Sequence, residues 1–136
     1  MAGIQELIRV EIDNALSFGN YLMDSKRKIQ DFEVEGDVYK VKTYSAMTKL
    51  EKNGRLLYES VPGTTVFSMS LAEEGIEFEV EGAEDAQITV ELEADQEYKV
   101  FIEGFQVGRM VTNLSGKISF SVDFATGNQK VEVKKA

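Results

Sequence analysis

The feature that most constrains the fold of this chain is the alternation of apolar and polar residues in short runs between residues 87 and 124. Apolar side chains occupy every second position in residues 88–92, 98–102 and 118–124. Gly, Asn or Asp residues separate these runs. Because successive side chains of a β-strand point to opposite faces, this period of two predicts half-buried antiparallel strands joined by tight turns.

Runs of the same kind continue along the rest of the chain, at the spacing of about 8–12 residues that is typical of sandwiches and barrels. No helical segment long enough to connect parallel strands lies between them. The apolar content of 43% is ordinary for one globular domain. We therefore predict an all-β fold: an antiparallel β-sandwich or flattened barrel of about ten short strands, in a single domain over residues 1–136, with no long helix.

The N-terminal region fits two patterns. Its apolar residues at positions 4–12 would share one face of a helix, but Ile8, Val10 and Ile12 also alternate with charged residues. Asp13-Asn14 follows, and both residue types tolerate the positive φ of a tight turn. We interpret the region as strand, turn and strand, and leave a helix as the alternative.

The clearest local signal is Asn53-Gly54, a pair that favours the type I′ turn of a β-hairpin. The register set by this turn places Leu50 opposite Leu57 and Glu51 opposite Leu56.

Two other glycine-containing stretches are interpreted as connections between strands. Residues 61–64 read Val-Pro-Gly-Thr and predict a type II turn, since Pro fixes φ and Gly supplies the positive φ that follows. Gly104 and Gly108 enclose three residues, but no Gly-Lys-Ser/Thr sequence and no helix follow, so this is not a phosphate loop. We interpret residues 104–108 as a hairpin connection.

The charge and hydropathy of the chain disfavour several partners. The formal net charge is −9, which we interpret as solvated sheet faces. Binding nucleic acid requires a basic stripe that the chain lacks, so we expect no nucleic-acid partner. No apolar run is long enough to span a membrane, and the first residues do not resemble a signal peptide. We expect a cytoplasmic protein, unless a leader was removed.

The chain contains neither histidine nor cysteine. This excludes Ser-His-Asp and Cys-His catalysis, disulfides and ordinary zinc sites. Paired carboxylates are the remaining acid–base chemistry, and no Asp-x-Asp-x-Asp-Gly calcium loop is present. We predict no catalytic site, no metal and no cofactor. The carboxylates near predicted turns are Glu73, Glu74, Glu81, Glu84, Asp85, Asp95 and Glu97.

Apolar residues on the otherwise polar faces of strands are the best indication of an interaction surface. Tyr58 shares a strand face with Leu56, while Leu57 points the other way, and Phe101 lies among charged neighbours. These side chains form a second core layer, or they contact another subunit or a ligand such as a glycan. Because exposed edge strands also invite pairing, we predict a homodimer or a higher closed oligomer.

These observations predict a non-catalytic binding or assembly module, whose partner is another copy, another protein or a glycan. A carbohydrate-binding module is the alternative, since aromatic side chains are what such modules offer to sugar rings.

A resemblance adds a further expectation. It is carried by residues 16–21 (LSFGNY), 36–43 (GDVYKVKT), 48–54 (TKLEKNG), 58–64 (YESVPGT) and 112–117 (TNLSGK). In these segments and their order, the chain resembles small single-domain proteins of anaerobic, clostridia-like Gram-positive bacteria that are commonly labelled "endosialidase". The resemblance implies a small all-β protein and keeps a small glycan-active enzyme as a third alternative. It transfers no catalytic residue to this sequence.

Overall fold

The computed structural model describes residues 3–136, and these residues form two antiparallel β-sheets that pack face to face around one core. No α-helix occurs among them, and the helical element is a single 3₁₀ turn at Ile12–Asn14. The predicted all-β antiparallel sandwich without a long helix is therefore confirmed. The described residues form thirteen strands instead of about ten.

The strands follow one another with short connections. In chain order they are β1 Gly3–Val10, β2 Leu16–Asn20, β3 Arg27–Val34, β4 Asp37–Tyr44, β5 Met47–Lys52, β6 Arg55–Val61, β7 Thr64–Ala72, β8 Gly75–Gly82, β9 Ala86–Glu91, β10 Glu97–Ile102, β11 Phe105–Val111, β12 Lys117–Val122 and β13 Gln129–Lys135. The seven-stranded sheet, called sheet A, has the order β1-β2-β7-β8-β13-β10-β11. The six-stranded sheet, called sheet B, has the order β12-β9-β6-β5-β4-β3.

The N-terminal region forms strand, turn and strand, as interpreted, and not a helix. β1 pairs with β2, with Val10 opposite Leu16. Asp13 and Asn14 have φ angles of 60° and 62°, a conformation that short polar residues tolerate. Leu7, at φ 70°, lies where the β1 ladder is interrupted by a register shift, and its side chain is buried.

The core lies between the sheets and consists of the alternating apolar residues. The ring of Tyr58 is fully buried and meets Phe18 and Phe78 edge-on, with ring centroids 5.3 and 5.5 Å apart. Such T-shaped pairs stabilise a core beyond the area that they bury. Fully buried aliphatic side chains around them include Val41, Leu50, Val66, Val80, Ile88, Val90, Val100, Val131 and Val133.

A β-bulge changes the register of the hairpin formed by β5 and β6. Asn53 and Gly54 form the tight turn as predicted, with φ angles of 52° and 81°. Glu51 lies opposite Leu56, as expected, but Leu50 lies opposite Tyr58 and not Leu57. Leu57 is the extra residue of the bulge. Because a shift of one residue reverses the facing of a strand, Tyr58 turns into the core.

Two predicted connections are wrong in detail. The Val61–Pro62 peptide is cis and Gly63 has no positive φ, so residues 61–64 do not form a type II turn. A Cβ atom on Gly63 would clash with the carbonyl oxygen of Tyr44, which explains the glycine. The turn after β10 consists of Glu103 and Gly104, at φ 52° and 82°, and residues 105–108 belong to strand β11 instead of a connection.

A series of buried hydroxyl groups links sheet B to the start of β7. Thr48 Oγ1 lies 2.8 Å from Thr43 Oγ1 and donates to the carbonyl oxygen of Thr64 at 2.7 Å. Thr64 Oγ1 lies 2.8 Å from Tyr58 Oη and 2.7 Å from Ser60 Oγ. Every buried side-chain polar atom of the described residues has a hydrogen-bond partner. A buried polar group without a hydrogen-bond partner destabilises the fold. These hydrogen bonds therefore hold Thr64, at the start of β7, against sheet B.

A second polar contact ties the end of β1 to β2. Glu11 accepts hydrogen bonds from Ser17 Oγ at 2.5 Å and from Arg9 Nε at 2.8 Å. Ser17 is fully buried, and its Oγ accepts a hydrogen bond from the backbone N–H of Ser68 at 3.0 Å. The hydrogen bond from Ser17, followed by that from Arg9, holds the pKa of Glu11 below its ordinary value of 4.5.

The lowered pKa of Glu11 predicts an acid-sensitive contribution to stability. Because the folded pKa lies below the unfolded one, the contact stabilises the fold above about pH 4.5, and this stabilisation is lost as the pH falls further. We expect Glu11→Gln to unfold at lower urea concentration than the wild type near neutral pH, with a difference that narrows in acid. Glu33→Gln, at an exposed site on β3, is the control. A difference that is independent of pH would contradict the role of the ionised carboxylate.

Candidate functional site

The structure does not bring the three predicted interaction residues together. Tyr58 lies in the core, which corrects the expected surface position, and the bulge at Leu57 is the physical reason. Leu56 is half-buried on β6 of sheet B, and Phe101 is half-buried on β10 of sheet A. Of the alternatives considered for these side chains, a position in the internal core is the one that Tyr58 occupies.

The carboxylates near turns do not assemble into a metal site. No group of three or more acidic residues within 3–136 is arranged to hold a metal ion. Glu97 accepts a hydrogen bond from Arg109 Nε at 2.6 Å, and Glu81 accepts one from the hydroxyl of Tyr21 at 3.1 Å. Burial and the neighbouring Glu81 carboxylate raise the pKa of Tyr21 to about 12, so this tyrosine is neutral near physiological pH.

The two open sides of the sandwich differ. On one side the edge strands β1 and β3 approach each other across the sheets. Each carries a bulge with a non-glycine residue at positive φ, Leu7 in β1 and Asp31 in β3. Bulged edges with charged residues resist the addition of another strand. A strand is therefore less easily added to β1 or β3 than to β12, which pairs with β9 without a bulge.

The other side is formed by the edge strands β11 and β12. Ile102 of β10 packs against the core and lies opposite Phe105 of β11, so Phe105 points to the inner face of sheet A. Phe105 is nevertheless 75% exposed, and Val107, at a bulge in β11, is 57% exposed. The inner face of β11 is open because sheet B has one strand fewer than sheet A.

These residues line a groove of about 570 Å³, which we call the edge groove. Sheet A forms one wall and β12 the other, and the connection between β12 and β13 closes one end. The lining residues are Ile102, Glu103, Phe105, Val107, Met110, Phe120, Ser121, Asp123, Ala125, Thr126 and Gln129.

The charge of the edge groove is negative. Among the described residues, the charged ones that line it are Glu103 and Asp123. Glu103 accepts a hydrogen bond from the backbone N–H of Lys130 at 2.6 Å, and Asp123 accepts one from that of Ala125 at 2.7 Å. Each carboxylate is thus held in place and retains lone pairs for a cationic partner. The groove can bind an apolar ligand that carries positive charge.

A second concavity, of about 380 Å³, lies at the end of the sandwich and includes Leu56. Its wall carries Arg55, which lies 2.5 Å from Glu91, and Glu93, which lies 2.6 Å from Lys135. The charged residues that line this concavity are of both signs, whereas those that line the edge groove are negative.

Sequence reasoning missed Phe105 and Val107 because residues 104–108 were interpreted as a connection. A signal was present: the segment from 104 to 108 contains no charged residue, and its apolar residues stand at alternate positions as in a strand. The uncovered face itself depends on the number of strands in each sheet, which no local pattern specifies.

Within residues 3–136 no helix is long and apolar enough to cross a membrane. Comparison with protein-family models, curated proteins and solved structures gave no match to this chain.

Proposed function

We propose that this protein is a non-catalytic binding or assembly module that binds its partner in the edge groove. One observation carries the proposal: Phe105 projects from the inner face of a sheet, where aromatic side chains are normally covered, yet it is 75% exposed. Concave sites lined by apolar and aromatic side chains with a few polar groups are typical binding sites of folded proteins.

The energetics favour a partner that also pairs with the backbone. Covering a large apolar side chain such as Phe105 or Val107 contributes about 1.5–3 kcal/mol each. Together they contribute about 3–6 kcal/mol, which reaches only the low end of the association cost of about 4–15 kcal/mol. The free edges of β11 and β12 offer backbone hydrogen bonds that supply the remainder.

A carbohydrate-binding module is the second candidate. The observation that favours it is the exposed ring of Phe105 in a groove that also contains Glu103 and Asp123. An aromatic face with nearby carboxylate acceptors is suited to a sugar ring.

A glycan-active enzyme receives less support. Binding the carboxylate of a sialic acid favours clustered arginines. Here Arg9, Arg27, Arg55 and Arg109 lie on four different strands. All but Arg27 already pair with a carboxylate, at 2.8, 2.5 and 2.6 Å.

Self-association stays a prediction. Tyr58 is buried in the core and is not available for a subunit contact, and Leu56 and Phe101 lie in different sheets.

Site-specific photo-crosslinking tests the edge groove as the working surface. We expect a benzophenone amino acid at position 105 to crosslink to another polypeptide in cells of the source organism, because Phe105 lies inside the groove. Leu114 is the matched control, since it is apolar and 92% exposed but does not line the groove. A glycan array with the purified protein tests the second candidate.

Equal crosslinking at positions 105 and 114, or none at 105, would argue against the edge groove as a protein-binding surface. Saturable glycan binding that Phe105→Ala abolishes would select the carbohydrate-binding candidate. Turnover of a sialoside by the purified protein would contradict the non-catalytic assignment.

A further inference from the structure

We infer that the edge groove receives an extended segment of another protein, which pairs with the free edge of β12 and becomes a seventh strand of sheet B. This inference rests on the proposed function and specifies the occupant of its surface.

The pairing strand is identified by the mismatch between the sheets. Sheet A has seven strands and sheet B has six, and the uncovered residues project from the inner face of β11. A strand added to β11 would extend sheet A and leave Phe105 exposed. A strand added to β12 would lie beneath Phe105 and Val107 and cover both. On β12 itself Ile118, Phe120 and Val122 are already buried. β12 is therefore already packed against the core, and its free edge is in place for an incoming strand to pair with.

The chemistry of the segment follows from the groove. A strand presents alternate side chains to the inner face, so the segment needs apolar residues at every second position. The carboxylates of Glu103 and Asp123 line the groove, and the cation Arg109 lies 2.6 Å from Glu97 and does not line it. Glu103 accepts a hydrogen bond from Lys130 at the start of β13, and Asp123 directly follows β12, so both lie beside the β12–β13 connection. A lysine or arginine at the end of the segment next to this connection complements their charge.

A second copy of the chain does not meet these requirements. The strands of residues 3–136 are already part of the sandwich, and the connections between them are short. No described segment is therefore free to act as a donor strand. Each copy also carries a net charge of −9, so two copies repel each other.

Titration with synthetic peptides tests the inference on the full chain. The probe is a peptide of about seven residues, with Val and Ile alternating with Ser and Thr and a Lys at each end. One control has Pro at the central apolar position, which prevents strand pairing. A second control has Glu at both ends. We expect the Lys-ended peptide to bind at least about tenfold more tightly than either control. We also expect its binding to slow hydrogen exchange at backbone amides of β12.

Two variants locate the contacts. The double substitution Glu103→Gln with Asp123→Asn keeps both hydrogen-bond acceptors and removes the charges. It should weaken binding of the Lys-ended peptide about two- to fivefold and abolish the preference over the Glu-ended peptide. Phe105→Ser should weaken both. Because these side chains are exposed, the variants are expected to fold, and thermal unfolding of each verifies this.

The inference is overturned if the Lys-ended peptide does not bind at about 1 mM, if the Pro control binds equally well, or if protection appears only on β11. It is also overturned if, without peptide, light scattering shows a dimer and the backbone amides of β12 are protected from hydrogen exchange. A second copy of the chain would then occupy this edge. In these cases crosslinking at position 105 would still decide the proposed function independently.

Discussion

Tyr58→Ser is expected to lower the free energy of unfolding by about 3–5 kcal/mol without changing the mass of the folded protein in solution. The substitution removes a fully buried ring that meets Phe18 and Phe78 edge-on. It leaves a cavity that the surrounding strands cannot close, because β-sheet backbones move little. Urea unfolding measures the loss of stability, and light scattering at tens of micromolar compares the mass with the 15.2 kDa of one chain.

Tyr58→Phe separates the contribution of the ring from that of the hydroxyl group. It keeps both ring contacts and removes the hydrogen bond to Thr64 Oγ1, so we expect a smaller loss of about 0.5–1.5 kcal/mol. Phe101→Ser, at a half-buried position, serves as the surface comparison. If the wild type forms an oligomer that Tyr58→Ser converts into a stable, folded monomer, the residue belongs to a subunit contact and the core assignment fails.

Thr64→Val is expected to cost about 2–4 kcal/mol, although the two side chains have nearly the same shape. Thr64 Oγ1 is a partner of both Tyr58 Oη and Ser60 Oγ, and all three groups are fully buried. Replacing the hydroxyl by a methyl group deprives two buried hydroxyls of a partner. Buried polar groups that lose a partner cannot recover it from water. Thermal and urea unfolding of the variant measure the cost.

Thr89→Val is the matched control. Thr89 Oγ1 lies 2.6 Å from Ser119 Oγ in an exposed pair between β9 and β12. Water replaces that hydrogen bond, so we expect a change within about 0.5 kcal/mol. Equal effects at both threonines would mean that the buried hydroxyl chain contributes nothing to stability in solution.

Local patterns were sufficient for the strands and for most of their turns. The alternation at 88–92 and 118–124 is realised in β9 and β12, which pair with Val90 opposite Ile118. Asn53-Gly54 forms the turn that its φ preferences require. Strand formation and turn geometry depend on residues close together in the chain, and this is why periodicity and turn chemistry are informative here.

Tyr58 illustrates where local patterns are not sufficient. Counting alternate positions forward from Asn53-Gly54 places Tyr58 on the same face as Leu56. One extra residue, Leu57, reverses this facing. Whether a strand accepts such a bulge depends on packing against the opposite sheet, so the sequence of β6 alone does not specify it.

The sequence by itself determined that this chain forms antiparallel strands with an alternating core and a negative surface, because these properties follow from residue order and charge. The tertiary structure alone decided which apolar residues remain uncovered. Phe105 is inward-facing like Ile102 beside it, yet Ile102 packs against the core and Phe105 is 75% exposed. The difference arises because sheet A extends one strand beyond sheet B, and the number of strands in each sheet is a property of the whole assembly of strands.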